Sequence, residues 1–201
     1  MIPAYEAIKA INRLRGDAVV VGTMTPNRYW EAVSERPELD LPIFGAMGKA
    51  SSVALGLALA RPDRKVLVLD GDGALLMNLG TLVTIAGQRP RNLVHFVFDD
   101  VSSASTSGLP IKEMDNLDLA QIARSSGYAK TYEFDRLEEF LIGLEEVMRQ
   151  TGPVFVRVKV FRDGDPLPFP ERTMAQGWAE VKQQLTPPED NAGEDGEEGP
   201  A

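Results

Sequence analysis

Short apolar runs alternate with amphipathic segments along most of the chain. Val66–Leu69 and Leu93–Phe98 are rich in Val, Leu and Phe and lack regular apolar–polar alternation. Such runs suit strands covered on both faces, as in a parallel sheet. Ala18–Val21 and Val154–Val160 read as further strands, the second the last of the sheet. Helical spacing of apolar residues marks Tyr5–Leu14, Leu75–Ala86, Asp118–Ser126 and Leu137–Arg149, with a terminal helix over Glu171–Leu185. Ala50–Ala60 is a helix of small residues suited to close packing on a sheet. Gly16-Asp17 closes the first helix, and Phe161–Pro170 reads as irregular. This order predicts an α/β fold: a doubly wound, mostly parallel sheet with helices on both faces. No internal repeat interrupts it.

The chain is organised around Lys65–Ser102, which reads strand, glycine turn, helix, strand. The first strand ends in Asp70-Gly71-Asp72-Gly73 and the second in Asp99-Asp100. In open parallel sheets the carboxyl ends of the strands face the ligand crevice. If the two strands are neighbours, Asp72 and Asp100 meet there. Gly71 and Gly73 are expected to let the backbone bend sharply and approach a ligand closely. The helix mouth after Gly73 favours phosphate. A carboxylate beside phosphate requires a cation between them, so Asp72 with Asp100 reads as a Mg²⁺ or Ca²⁺ site bridging to a diphosphate. The alternative is a tight turn with solvated acids. The Rossmann pattern fails because Leu76 stands where its third glycine belongs, and no Gly-Lys-Ser/Thr follows the strand.

Composition narrows the classes. At 201 residues with 43% apolar and 25% charged content, the chain reads as one globular domain over residues 1–186. Residues 187–201 hold six acids and no base, the composition of a disordered acidic tail. The net charge of −9 argues against a nucleic-acid partner. There is no cysteine, which excludes disulfides, thiolate metal sites and cysteine nucleophiles. Met1–Arg15 lacks the apolar core of a signal peptide, and no apolar run could span a membrane, so a cytoplasmic location is expected. His95 is the only histidine and reads as a core or surface residue rather than a catalytic one.

The glycine turn resembles the cofactor motif of thiamine-diphosphate-dependent 2-oxo acid decarboxylases, GDG followed by Asn-Asn. Asp100 lies 28 positions after Asp72, which is that family's spacing. In particular the chain resembles the β subunit of sulfopyruvate decarboxylases and the C-terminal half of phosphonopyruvate decarboxylases. The resemblance covers Ala18–Val160 and includes GAMGKASSVALGLALA (Gly45–Ala60) and STSG (Ser105–Gly108). It implies thiamine diphosphate and Mg²⁺ as cofactors, the metal held by Asp72, Asp100 and the Ser102 carbonyl. It implies diphosphate binding by Gly71, Gly73 and Ala74, and cofactor contacts from Gly45, Ala46 and Met47, with Met47 propping the bent cofactor. Thr25 either reaches the diphosphate or caps the helix holding Tyr29 and Trp30.

Two positions depart from that pattern: Asp100 stands where the family usually has Asn, and Ser103 where the nearest relatives commonly carry an aromatic residue. The implied reaction is decarboxylation of a small anionic 2-oxo acid, 3-sulfopyruvate or phosphonopyruvate, to an aldehyde and CO₂. The activating glutamate is expected on a pyrimidine-binding α subunit, in an α₂β₂ or larger assembly. Only a short helix precedes the first strand, and the segment after Val160 is too short for a second such domain. Two other readings stay open, a non-catalytic or regulatory cofactor-binding homologue and a carboligase subunit.

Overall fold

The computed structural model describes residues 1–100, 117–162, 167–168 and 171–186. In chain order the elements are β1 (Ile2–Pro3), α1 (Ala4–Leu14), β2 (Val19–Thr23), α2 (Met24–Glu31), β3 (Asp40–Ile43), α3 (Ala50–Ala60), β4 (Val66–Gly71) and α4 (Asp72–Leu76). They continue with α5 (Thr81–Gln88), β5 (Leu93–Asp100), α6 (Leu119–Ser126), β6 (Lys130–Phe134), α7 (Leu137–Arg149), β7 (Val154–Phe161) and α8 (Met174–Leu185). The strands form one seven-stranded sheet in the order β1-β7-β5-β4-β2-β3, with β6 also paired to β7. Every pairing is parallel.

Alternation along each strand divides the core in two. Val19, Val21, Val66, Val68 and Val97 pack with Ala54, Leu82, Ile85 and Ala123 from α3, α5 and α6. Val20, Leu67, Leu69, Phe96 and Val156 pack with Ile8, Trp30, Phe140 and Leu144 from α1, α2 and α7. Helices therefore cover both faces, and the apolar strands lack alternation because neither face meets water. The fold is the doubly wound, parallel α/β arrangement that the strand pattern predicts.

Several boundaries differ from expectation. The single helix expected over Leu75–Ala86 is two helices, α4 beginning at Asp72 and α5 at Thr81. The break at Met77–Gly80 is fixed by Asn78, whose Nδ2 donates to the Gly48 carbonyl at 2.9 Å. The strand at Leu93 runs through Asp99 and Asp100 rather than stopping at Phe98. The terminal helix starts at Met174 behind a Thr173–Gln176 capping box. Strands β1, β3 and β6 carry weak sequence signals: β3 contains Pro42, and β6 is a partly exposed KTYEF. The strand at Val154 is last in the described chain but interior in the sheet, between β5 and the short strands β1 and β6.

Away from the strands' carboxyl ends, one buried ion pair ties α1 to the start of β3. Arg15 Nη1 lies 2.8 Å from Asp40 Oδ1, and both side chains are almost fully buried. Arg15 also donates to the Ala18 carbonyl and stacks over the Trp30 ring. Burial lowers the Arg15 pKa and raises that of Asp40, with their mutual attraction opposing both shifts. Such pairs contribute little net stability but are costly to break singly. Asp40→Leu should therefore destabilise the chain by about 3 kcal/mol. Arg15→Met combined with Asp40→Leu should recover at least half of that loss in urea unfolding.

Candidate active site at the strand carboxyl ends

The sheet order reverses between β2 and β4: β3 continues to one side, β5 and β7 to the other. Ligand crevices of open α/β sheets form at such a switch, outside the carboxyl ends. A cavity lies at this place. Its lining comes from the ends of β4 (Gly71), β5 (Phe98, Asp100) and β7 (Val160), and from the helix openings that follow β2 and β4.

Pairing of β4 with β5 aligns Gly71 with Phe98, so Asp72 and Asp100 both emerge at the rim. Both are buried and both line the cavity. Asp72 opens α4, and its Oδ1 accepts the Gly73 N–H at 2.7 Å. The neighbour Asp99 points to the opposite face, where the Arg157 Nε donates to it at 2.7 Å. Arg157 also contacts Glu133, which Lys159 engages at 2.8 Å. One acid of the Asp-Asp pair is thus tied into the sheet, and the other faces the cavity.

Gly71 is extended, at φ −101° and ψ 154°, and α4 follows β4 directly, so the change of direction at this turn needs no left-handed backbone at Gly71 or Gly73. What Gly71 supplies is space, since a Cβ there would meet nothing within 4 Å. Backbone freedom is needed instead in the turn after β3. Gly48 has φ 78°, and a Cβ on it would lie 3.1 Å from the Ala74 carbonyl. That turn packs on the first turn of α4 and leaves Met47 lining the cavity.

Of the predicted site residues, Thr25, Met47, Gly71, Asp72, Gly73, Ala74 and Asp100 share this one cavity. Gly45 and Ala46 lie outside its lining; Gly45 is exposed, and Ala46 packs on the α3–α5 core. Ser102, with Ser103 and the Ser105–Gly108 element, lies outside the described residues. Thr25 sits within α2 behind Thr23 at the N-cap position, so the capping role considered for it is not what the structure has.

The cavity also has an apolar wall of Ala4, Ile8 and Tyr29, and Met24 and Arg162 line it, none of them a sequence-predicted site residue. Met24 has φ 46°, a left-handed conformation uncommon for a side chain of its kind. The Gly22-Thr-Met-Thr-Pro turn was its only sequence signal. Arg162 places its Nε 2.7 Å from Asp100 Oδ2. Among the described residues no group of three or more His, Asp or Glu is gathered for a metal ion. Mg²⁺ retains waters and takes one or two carboxylates together with substrate phosphates, so the Asp72–Asp100 pair fits its donor preferences.

Beneath the turn, His95 is fully buried and bridges two elements. Its Nε2 is 3.3 Å from Asp70 Oδ2 and its Nδ1 is 3.2 Å from the Tyr128 hydroxyl. Asp70 in turn accepts the Gly71 N–H at 3.0 Å. Burial raises the Tyr128 pKa far above the usual phenol range, with the Asp70 charge adding to the shift, so the hydroxyl stays protonated. The histidine is a core residue that braces the turn, and it does not line the cavity.

The family model "Thiamine pyrophosphate enzyme, C-terminal TPP binding domain" matches residues 20–158, a span that holds most of this cavity's rim. The chain belongs to this thiamine pyrophosphate enzyme family. Within the family it is 38% identical over 161 residues to sulfopyruvate decarboxylase subunit beta of Methanothermobacter thermautotrophicus, covering 80% of this chain and 83% of that one. It is 35% identical over 176 residues to phosphonopyruvate decarboxylase of Streptomyces viridochromogenes, covering 84% of this chain but 43% of the relative. A solved structure described as that of "a putative thiamin diphosphate-dependent enzyme isolated from Mycobacterium smegmatis" superposes with a TM-score of 0.67 at 18% identity. That superposition covers 81% of this chain and 32% of the other, and it shows the fold. None of the described helices of this thiamine pyrophosphate-family chain is long and apolar enough to cross a membrane.

Replacing His95 by Leu should leave Asp70 and Tyr128 buried without their shared partner. The expected cost is about 3 kcal/mol. Urea unfolding of His95→Leu measures it, with near-wild-type stability as the contrary result.

Proposed function

We propose that this chain is the diphosphate-binding subunit of a thiamine diphosphate-dependent decarboxylase. Its substrate is a small anionic 2-oxo acid, 3-sulfopyruvate or phosphonopyruvate, and its products are CO₂ and an aldehyde. The observation that carries the proposal is the meeting of Asp72, Asp100, Gly71 and Met47 on one cavity at the topological switch. The extent of the match to sulfopyruvate decarboxylase subunit beta supports the same reading.

In this reading Asp72 and Asp100 hold Mg²⁺, with the Ser102 carbonyl as a third ligand from outside the described residues. Gly71 leaves room for the diphosphate, which the backbone N–H groups of Gly73 and Ala74 would bind, the Gly73 N–H being the one that Asp72 Oδ1 accepts in this structure. Met47, Thr25 and the Gly45–Ala46 backbone form the cofactor's other contacts. When bound, thiamine diphosphate supplies an electron sink for the carbanion left by loss of CO₂. The apolar wall of Ile8, Tyr29 and Phe98 keeps water from that side of the cavity.

The proposal includes a partner. The group that activates the cofactor would come from an α subunit, a reading supported by the likeness to chains named subunit beta. Helix α3 carries no charged residue, yet Ser52, Gly56, Leu59 and Ala60 on it are exposed. A helix apolar on every side is normally covered, and Met77 and Val83 add exposed apolar surface on the segment that follows β4. A hetero-oligomer, α₂β₂ or larger, would cover these groups. The reading also keeps residues 1–186 as the cofactor domain, 187–201 as a tail, and a cytoplasmic setting.

Two substitutions separate binding from folding. Asp72→Ala should abolish Mg²⁺-dependent thiamine diphosphate binding in calorimetry while lowering stability by only about 1 kcal/mol. Gly71→Ala adds a methyl group to open space, so stability should stay within about 0.5 kcal/mol while cofactor affinity falls. Undiminished cofactor affinity in Asp72→Ala would remove the metal site from the proposal.

The purified chain alone, given cofactor, Mg²⁺ and either 2-oxo acid, should release no CO₂, and its complex with the α subunit should release it. Turnover by the isolated chain would refute the need for a partner.

A further inference from the structure

Three charged side chains line the cavity among the described residues: Asp72, Asp100 and Arg162. Arg162 stands just beyond β7, whose Val160 is the register partner of Asp100. Its guanidinium Nε lies 2.7 Å from Asp100 Oδ2, with 8% of the Asp100 side chain and 27% of the Arg162 side chain exposed. The contact is an ion pair whose two atoms lack hydrogen-bond alignment with each other, and at this burial salt and water screen it less than a surface pair. It also places a positive charge on the carboxylate that a divalent cation would need.

We propose that Arg162 is an exchange partner for Asp100: it holds the carboxylate in the unloaded site and transfers to a diphosphate oxygen when a divalent cation takes the carboxylate. The inference rests on the cofactor reading above and assigns a role to a residue which that reading leaves unused. Two carboxylates facing a diphosphate would repel it, and Arg162 cancels one of the two charges. Once the cation engages Asp100, that cation and the guanidinium repel each other. The arginine side chain is long and partly exposed, so it can turn within the same cavity. Its planar fork of donors matches a pair of phosphoryl oxygens, which a lysine ammonium cannot reproduce. A purely structural ion pair predicts something else: its loss would lower stability and move neither binding equilibrium.

The test titrates the full chain in its native assembly by calorimetry. The ligands are Mg²⁺ alone, inorganic pyrophosphate with saturating Mg²⁺, and thiamine diphosphate with saturating Mg²⁺. Arg162→Gln should weaken both diphosphates by about tenfold or more, the loss expected for one charge-assisted hydrogen bond. The same variant should bind Mg²⁺ alone more tightly than wild type. Asp100→Asn with Arg162→Gln should regain at least half of the lost diphosphate affinity on a logarithmic scale. Arg162→Lys should lose a smaller factor than Gln, and thermal unfolding without ligand verifies that each variant folds. Should the Gln variant not fold, Arg162→Lys decides the matter: diphosphate affinity equal to wild type overturns the role of the fork.

Wild-type binding with unchanged diphosphate affinity in Arg162→Gln overturns the exchange while leaving the cofactor reading intact. A double variant no better than Arg162→Gln also overturns it. Failure of the wild-type assembly to bind thiamine diphosphate overturns both.

Discussion

Parallel pairing of β4 with β5 sets Gly71 beside Phe98, so two neighbouring chains leave the sheet at nearly the same height, each carrying a carboxylate. A parallel sheet requires a crossover between these strands, which α4 and α5 provide. The crossover begins at Asp72 itself, and this is why one residue serves both as a helix start and as a rim carboxylate. Reversal of strand order at β2 then opens space beside them, since α2 leaves β2 next to the opening of α4. The cavity is thus a product of strand direction and strand order together.

Concentrating acids at one rim requires support from below. The Asp70–His95–Tyr128 chain spans β4, β5 and the approach to β6, and it satisfies the polar groups buried under the turn. Asp99 is neutralised laterally by Arg157, whose guanidinium also reaches Glu133 of β6. The His95–Asp70, Arg157–Asp99 and Arg157–Glu133 contacts link strands adjacent in space but far apart in sequence, and the His95–Tyr128 contact ties β5 to the segment before β6. The rim acids are therefore set on a braced sheet, and buried networks that are fully satisfied hold such geometry well.

Much of this was legible in the chain itself. The strands β2, β4, β5 and β7 announce themselves because burial on both faces leaves them strongly apolar. The GDG turn and its spacing to Asp100 point to the rim that the sheet assembles. Less legible were the edge elements: β6 is short, polar and partly exposed, and β3 is a buried run of only four residues that Asp40 and Pro42 disguise. The break after Leu76 was hidden because Met77 and Leu79 continue the helical rhythm, while the bonds from Asn78 to Gly48 and Ser52 that accompany it join distant parts of the chain. Arg162 could not be found from spacing, since it reaches the site from beyond β7 through a parallel register that no local pattern encodes. Nor could Met24, whose left-handed backbone looks like any other turn residue in sequence.

The adjacency of Asp99 and Asp100 also bears on how this gene can change. Period-two alternation sends the first acid to Arg157 and the second to the cavity. Loss or gain of a single codon between Leu93 and Phe98 would shift that alternation by one residue. It would send Asp99's neighbour into the bracing network and turn a bracing residue toward the cavity, so both functions would fail together. The turn at Arg89–Asn92, outside the strand, faces no such restriction from alternation. Length variation among descendants of this chain should accordingly collect before Leu93, and the eight residues of β5 should keep their number even where their identities drift.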